Sequence, residues 1–215
     1  MRLNQGLFIT FEGGEGAGKT TLIEEVVRKL TADGFPPLKT REPGGTFIGE
    51  EVRNLLLQKS AGPSMSPYAE LCLFLASRAQ HIAEVIGPAL KLHNIVLCDR
   101  FNDSSIAYQG NARGLGMKQV EAVCDFISQG LQPHLTLYLD IDPEIGLLRA
   151  HNARAHDRIE AETIAFHTKI REAYHKRHQK YPHRLKLLNA DHPPAQVFEE
   201  AMTHILPLVK SHHVP

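Results

Sequence analysis

Cysteine is scarce in this chain. Among 215 residues there are three, Cys72, Cys98 and Cys124, and none forms a Cys-x-x-Cys pair. They are too few and too scattered for a disulfide framework, which points to a reducing cytoplasm. Net charge is absent as well: 24 Lys and Arg balance 24 Asp and Glu. That excludes a protein that coats a polyanion by bulk charge, and no nucleic-acid partner is expected. No apolar run approaches the roughly 20 residues that cross a bilayer. Residues 1–6 lack the pattern of a secretory leader, so no membrane partner is expected either. Internal repeats, low-complexity tracts and linker-like stretches are missing, and one domain over 1–215 is expected.

Hydrophobic residues make up 42% and charged ones 22%, the composition of a globular domain. Charge is uneven. Residues 1–150 carry 14 basic and 17 acidic side chains, whereas 151–215 carry 10 and 7 together with ten of the thirteen histidines. A solvated helix surface accounts for this; a weak bias toward an anionic ligand is the alternative.

Short apolar runs of strand type occur at 7–11, 38–42, 95–98, 134–139 and 184–188. Helical periodicity lies between them. Leu22, Ile23, Val26, Val27 and Leu30 share a face; 67–90 reads as one long helix; Ile159, Thr163, Phe166, Ile170, Tyr174 and Tyr181 step by three or four; Val197 to Val209 reads as a last helix bent at Pro207. Five buried-type strands alternating with helices predict an α/β fold, a five-stranded parallel sheet with helices on both faces in three α/β/α layers.

Gly13-Gly14-Glu15-Gly16-Ala17-Gly18-Lys19-Thr20 matches G-x-x-x-x-G-K-[ST] between a strand and an amphipathic helix. Glycines let the backbone curl so that successive N–H groups face phosphate oxygens, and the helix adds its positive N-terminal end. Lys19 is expected on the β- and γ-phosphates and the Thr20 hydroxyl on Mg²⁺. This predicts a P-loop NTPase fold and a nucleoside triphosphate as ligand, and does not by itself separate a kinase from a switch protein or a motor. The GTPase signatures Asp-x-x-Gly and Asn-Lys-x-Asp do not occur.

Three further features call for a second anionic ligand. Thr40-Arg41-Glu42-Pro43-Gly44-Gly45-Thr46 runs a strand into a turn at the edge where open α/β sheets bind ligands. Asp99-Arg100 follows a buried run; the acid suits Mg²⁺ water or the attacking phosphate, and the guanidinium forks onto a phosphate. Phe74 and Arg78 lie four apart on one helix face among Leu71, Leu75, Ile82 and Val85. An arginine there needs a partner: either a planar base stacked on Phe74, or an internal carboxylate such as Glu42. The histidines at 151, 156, 175 and 178 lack ligands at zinc spacing and are read as solvated helix faces. Asp140 and Asp142, ahead of Pro143, are read as caps of the next helix.

Phe-Glu-Gly-Gly-Glu-Gly-Ala-Gly-Lys-Thr-Thr, Thr-Arg-Glu-Pro-Gly-Gly-Thr, Phe-Leu-Ala-Ser-Arg-Ala-Gln, Asp-Arg-Phe, Ala-Tyr-Gln-Gly and Asp-Arg-Ile-Glu follow in that order. Together they resemble the bacterial thymidylate kinases from residue 6 to about residue 209. The resemblance implies transfer of the γ-phosphoryl group of ATP to thymidine 5′-monophosphate, with Mg²⁺, by a cytoplasmic homodimer. It implies that Gly13 to Thr21 and Arg149 hold the donor, and that Thr20, Glu15, Asp99 and Glu160 serve the metal. It further implies that Phe74 stacks on the base and that Arg78 reaches its O4. By the same resemblance Arg41 and Arg100 are expected to grip the acceptor phosphate, with Glu42, Ser105 and Gln109 around the substrate and Tyr108 crowding the 2′ position of the sugar. Residues 149–160 are implied to be a lid over ATP. Because Gly16 follows Glu15, the catalytic arginine is expected from that lid, with Arg154 first and Arg158 as the alternative beside Lys19, Asp99 and Arg100. The lid is sparser in arginine than in related chains, since His151, Asn152, Ala153 and His156 intervene. Two other readings remain open: a kinase for another nucleoside monophosphate or for a deoxynucleoside, and a nucleotide-binding module without turnover.

Overall fold

The protein is described from a computed structural model covering residues 3, 5–58, 65–151, 158–159 and 161–213. In chain order the elements are β1 (Leu7–Gly13), α1 (Lys19–Ala32), β2 (Leu38–Arg41), α2 (Phe47–Leu57), α3 (Pro67–His81), α4 (Gly87–Lys91), β3 (Ile95–Asp99), α5 (Asn102–Ser105), α6 (Met117–Ile127), β4 (Leu135–Asp140), α7 (Pro143–His151), α8 (Ile164–Lys180), β5 (Leu185–Asn189) and α9 (Pro194–His212). All five strands pair in parallel in the order β2-β3-β1-β4-β5. The strand count and pairing expected from the apolar runs are therefore present, each strand within a residue or two of its expected bounds.

Alternation along β1 divides its side chains between two layers. Leu7, Ile9 and Phe11 enter the largest core with Leu22, Ile23, Val26 and Leu30 of α1 and with Val197, Ala201 and Ile205 of α9. Phe8 packs on the opposite face with Val96, Cys98, Phe101 and Ile86. Thr10 and Glu12 share that second face: Thr10 meets Thr136 at 2.8 Å, and Glu12 reaches Ser104 and Tyr174. Adjacent β1 and β3 send their connections in opposite directions, the arrangement that opens a crevice at the carboxyl edge of a sheet. Register places Phe11, Asp99 and Arg41 abreast there.

Several expected elements differ. The long helix over 67–90 contains a π-helical stretch, Ile82–Ile86, between α3 and α4. The helix expected from Ile159 begins at Ile164, because the Thr163 hydroxyl accepts from the Phe166 amide and caps it there. The last helix is present as expected, α9 continuing through Pro207. Three helical segments lie outside the expected elements: α2, α6, and the stretch α5 with the π-helical Ile106–Ala112 that continues it. Asp142 caps α7 as expected, accepting from the Glu144 amide at 2.9 Å. Asp140 does not. It pairs with Arg171 at 2.7 Å and His175 at 3.1 Å, so His175 is partnered rather than simply solvated.

Candidate active site

The glycine loop leaves β1 and enters α1 through residues of positive φ. Gly18, the residue before the helix, has φ 86°, and Gly16 has φ 65°. A Cβ at Gly16 would run into the Gly146 carbonyl oxygen, so the turn needs glycine for space as well as for conformation. The Lys19 ammonium lies across the loop, donating to the carbonyls of Gly13 at 3.2 Å and Gly14 at 3.3 Å. Burial lowers its pKa, Arg100 lowers it further, and Asp99 and Glu15 oppose both.

A cavity of about 790 Å³ opens beside this loop. Its wall combines the loop residues from Glu15 to Thr21 with Arg41, Glu42, Phe74, Asp99, Arg100, Ser105, Tyr108 and Gln109. The two halves of the expected site thus share one cavity. Asp99 Oδ1 and Ser105 Oγ, both on residues of this wall, are buried with no hydrogen-bond partner in the structure. Buried polar atoms are seldom left so, and here a ligand in the cavity can satisfy them.

Arg100 sits in the left-handed region at φ 73°, a conformation that costs roughly 1–2 kcal/mol for a residue with a side chain. Its guanidinium reaches Glu15 at 3.0 Å and Ser104 at 3.2 Å and lies 5.0 Å from the centre of the Tyr108 ring. Burial raises the Tyr108 pKa, which keeps its hydroxyl protonated. Arg41 is exposed and held by both Glu50 oxygens at 2.9 and 3.0 Å. Gln109 donates through Nε2 to Glu70 at 2.8 Å, which leaves its carbonyl oxygen as the acceptor toward a ligand.

Some expected residues stand elsewhere. Arg78 is fully buried and does not reach the cavity wall. Its guanidinium donates to Glu42 at 2.7 Å, the Phe101 carbonyl at 3.1 Å and Cys124 Sγ at 3.6 Å, so the internal carboxylate is its partner in this structure. Glu42 is consequently a wall residue whose carboxylate is spent on Arg78 and, at 3.1 Å, on His81. Arg149 ends in the last turn of α7 and reaches Ala190 O and Asp191 at 2.9 and 3.0 Å, away from the main cavity. Arg158 donates to Leu56 O at 2.8 Å and pairs with Glu70 at 2.7 Å, which ties it to α2 and α3. Arg154 and Glu160 lie outside the described residues. Among the described residues no group of three or more His, Cys, Asp or Glu gathers to hold a metal.

Arg53 is a wall residue that sequence reasoning missed. It projects from α2, where Thr46 caps the helix by accepting from the Gly49 amide at 2.9 Å, and it donates to Pro43 O at 3.0 Å. The helical spacing of Ile48, Val52, Leu55 and Leu56 just after Thr46 was the available signal.

Behind the wall, Glu12 accepts from Phe101 N at 2.8 Å, Ser104 Oγ at 2.5 Å and Tyr174 Oη at 2.6 Å. Burial and then Asp103 push its pKa up to about 7, against Arg100, Ser104 and Tyr174. Burial alone would raise Asp103, but Arg177 and Arg184 override it and hold that carboxyl well below the ordinary range.

A thymidylate kinase family model matches residues 11–201, nearly the whole chain. The chain belongs to the thymidylate kinase family. A thymidylate kinase of Clostridium novyi is 47% identical over 200 residues, covering 92% of this chain and 97% of that one. One from Protochlamydia amoebophila is 47% identical over 205 residues, covering 92% and 91%. A crystal structure of thymidylate kinase from Ehrlichia chaffeensis superposes with a TM-score of 0.76 at 31% identity, over 94% of this chain and 99% of that one. The thymidylate kinase fold is thus present along the full sheet, and the glycine loop, Asp99-Arg100 and Phe74 all fall inside the matched region.

Proposed function

We propose that this protein transfers the γ-phosphoryl group of ATP to thymidine 5′-monophosphate, giving the diphosphate. The observation that carries the proposal is a single cavity walled both by a glycine-lysine loop and by arginines beside an aromatic ring. Phosphoryl transfer asks little covalent chemistry of a protein; it asks that two anions be aligned and their charge met. Loop amides and Lys19 meet the donor. Arg41, once it releases Glu50, and Arg100 meet the acceptor phosphate, with Arg53 as a third cation on the same wall. The acceptor is already anionic, so no strong base is needed, and Asp99 serves as an orienting acid. Phe74 offers the base a face, Ser105 an unspent hydroxyl, and Gln109 a carbonyl oxygen suited to the ring N–H of thymine. Cytosine presents no N–H at that position. Tyr108 crowds the sugar and disfavours a 2′-hydroxyl.

The residues present fit Mg²⁺ in the form a triphosphate carries it. Thr20 stands exposed at the loop's end, and Asp99 brings a carboxylate oxygen with no other partner. Bound there, the ion would neutralise charge on the phosphate oxygens. The catalytic cation is assigned to Arg154, since Arg158 is committed to Leu56 and Glu70. Arg154→Ala should lower kcat by about 10³-fold or more while changing either KM little; an unchanged kcat returns the role to Arg158.

A homodimer is part of this reading. Large apolar side chains stand exposed on α2 (Phe47, Ile48, Leu55), α3 (Tyr68) and α6 (Val123, Phe126), and α3 packs against both of the others. Such a face suits a second copy. Among the described residues no helix is long and apolar enough to cross a membrane, and the three cysteines are unpaired, which fits a cytoplasmic place. The reading is tested by ATP consumption with thymidylate against other nucleoside monophosphates.

A further inference from the structure

Glu12 is the only acid of β1, is fully buried, and is absent from the cavity wall. A carboxylate in that position is costly unless its acceptors are filled, and three donors fill them. Two of those donors belong to the segment that carries Arg100. Oε1 takes the amide of Phe101, the residue next to Arg100, while the Arg100 amide itself donates to Phe11 O at 2.9 Å. Oε2 takes the hydroxyl of Ser104, whose oxygen in turn accepts from Arg100 Nη1. Oε2 also takes Tyr174, whose ring stacks on Tyr138 with centroids 4.1 Å apart and so backs the carboxylate with a packed surface. Arg100 is thereby held at both ends: its left-handed backbone from below and its guanidinium from the side. Local strain of that kind persists only where the surroundings over-determine it.

We propose that Glu12 is a positioning residue for the acceptor phosphate, holding Arg100 in its left-handed backbone and aiming its guanidinium through Ser104. This rests on the reading of Arg100 as a ligand of that phosphate. The hydrogen bonds of Glu12 go to the Arg100 segment and to Tyr174, so its larger effect falls on the acceptor side, although Lys19 feels its charge and Arg100 also pairs with Glu15 of the donor loop. The test compares the affinity of thymidylate with that of thymidine, which lacks the phosphate. In Glu12→Gln the charge is lost, and the oxygen that accepts from both Ser104 and Tyr174 becomes an NH2 that can accept from neither, so both hydroxyls must reorient. Thymidylate should weaken about tenfold or more, while thymidine stays within about twofold. Equal weakening of thymidylate and thymidine, or no weakening of thymidylate, overturns the proposal. Ser104→Ala cuts the same strut with a smaller structural risk and should show the same selective loss; an intact thymidylate-to-thymidine ratio there also overturns it. The double variant should be no worse than the poorer single one, and additive losses contradict a shared strut. Arg100→Ala separates the two layers. If it leaves the ratio unchanged, the reading of Arg100 fails. If it collapses the ratio while Glu12→Gln and Ser104→Ala do not, the positioning role alone fails.

Discussion

The proposed function gives Lys19 and Phe74 separable duties, so their variants should fail differently. Lys19→Ala removes the one ammonium of the loop; turnover should drop about 10²- to 10³-fold in steady-state assays, and near-normal turnover contradicts the assignment. Phe74→Ala removes a stacking surface. It should raise the KM for thymidylate about tenfold or more and leave the KM for ATP alone; parallel loss of both substrates would instead mark Phe74 as packing. At this scale the glycine loop and Asp99-Arg100 were legible because their spacing is itself the chemistry. Arg78 was not: periodicity places it on an apolar stripe but cannot say whether a base or Glu42 meets it, and the contact with Glu42 is a matter of tertiary packing. Asp140 was read as a cap for the same reason, since its partners Arg171 and His175 come from α8, about thirty residues later.

Among the elements, the buried strands and the apolar faces of α1 and α9 were legible, whereas α2 was missed although its apolar spacing is present. Asn102–Ser105 and the first five residues of Ile106–Ala112 are buried all round, so no amphipathic stripe marks them as helical. On α6, Val123 and Phe126 stand exposed beside the buried Val120 and Cys124. α2 is the element whose omission cost a site residue, Arg53. Thr46→Ala should cost about 1 kcal/mol through loss of the cap and, by loosening the start of the helix, raise the KM for thymidylate; thermal unfolding together with kinetics checks both. The join between α5, α6, α8 and the residue just before β5 is ionic. Asp103 takes Arg177 and Arg184, and Glu121 takes Arg177 and Lys180. Asp103→Asn leaves two guanidinium groups underpartnered and should destabilise by about 3–5 kcal/mol in denaturant unfolding. Burial would raise Glu121, but Lys180, Tyr181 and Arg177 override it and lower it from 4.5 to about 2; Asp103 is lowered too. Carboxyls held below their unfolded values stabilise the fold above those values and lose that contribution as pH falls toward their folded ones. The melting temperature should therefore fall between about pH 4.5 and 2, and a flat profile there contradicts the pairing. Glu12 acts in the opposite sense: its proton is held up to about 7, so its contribution declines as pH rises from 4.5 to 7.

On the scale of the whole molecule, strand order sets the function's geography. β1 sits at the centre, and the ends of β1, β3 and β2 bring the glycine loop, Asp99-Arg100 and Arg41 to one edge. The apolar side chains of α2, α3 and α6 lie on helices other than the two that cover the first core, and they predict self-association. Sedimentation velocity should give twice the monomer mass, and Phe126→Glu should shift the species toward monomer; a monomer at micromolar concentration in the unaltered protein removes the dimer from the account. The central claim is that donor and acceptor meet in one cavity built for thymidylate. It is tested most directly by the initial rate of ATP consumption with each nucleoside monophosphate in turn, Mg²⁺ present. Rapid consumption with thymidylate, slower consumption with deoxyuridylate and little with the rest is the expected result. A faster rate with another monophosphate, or none with thymidylate, would contradict it.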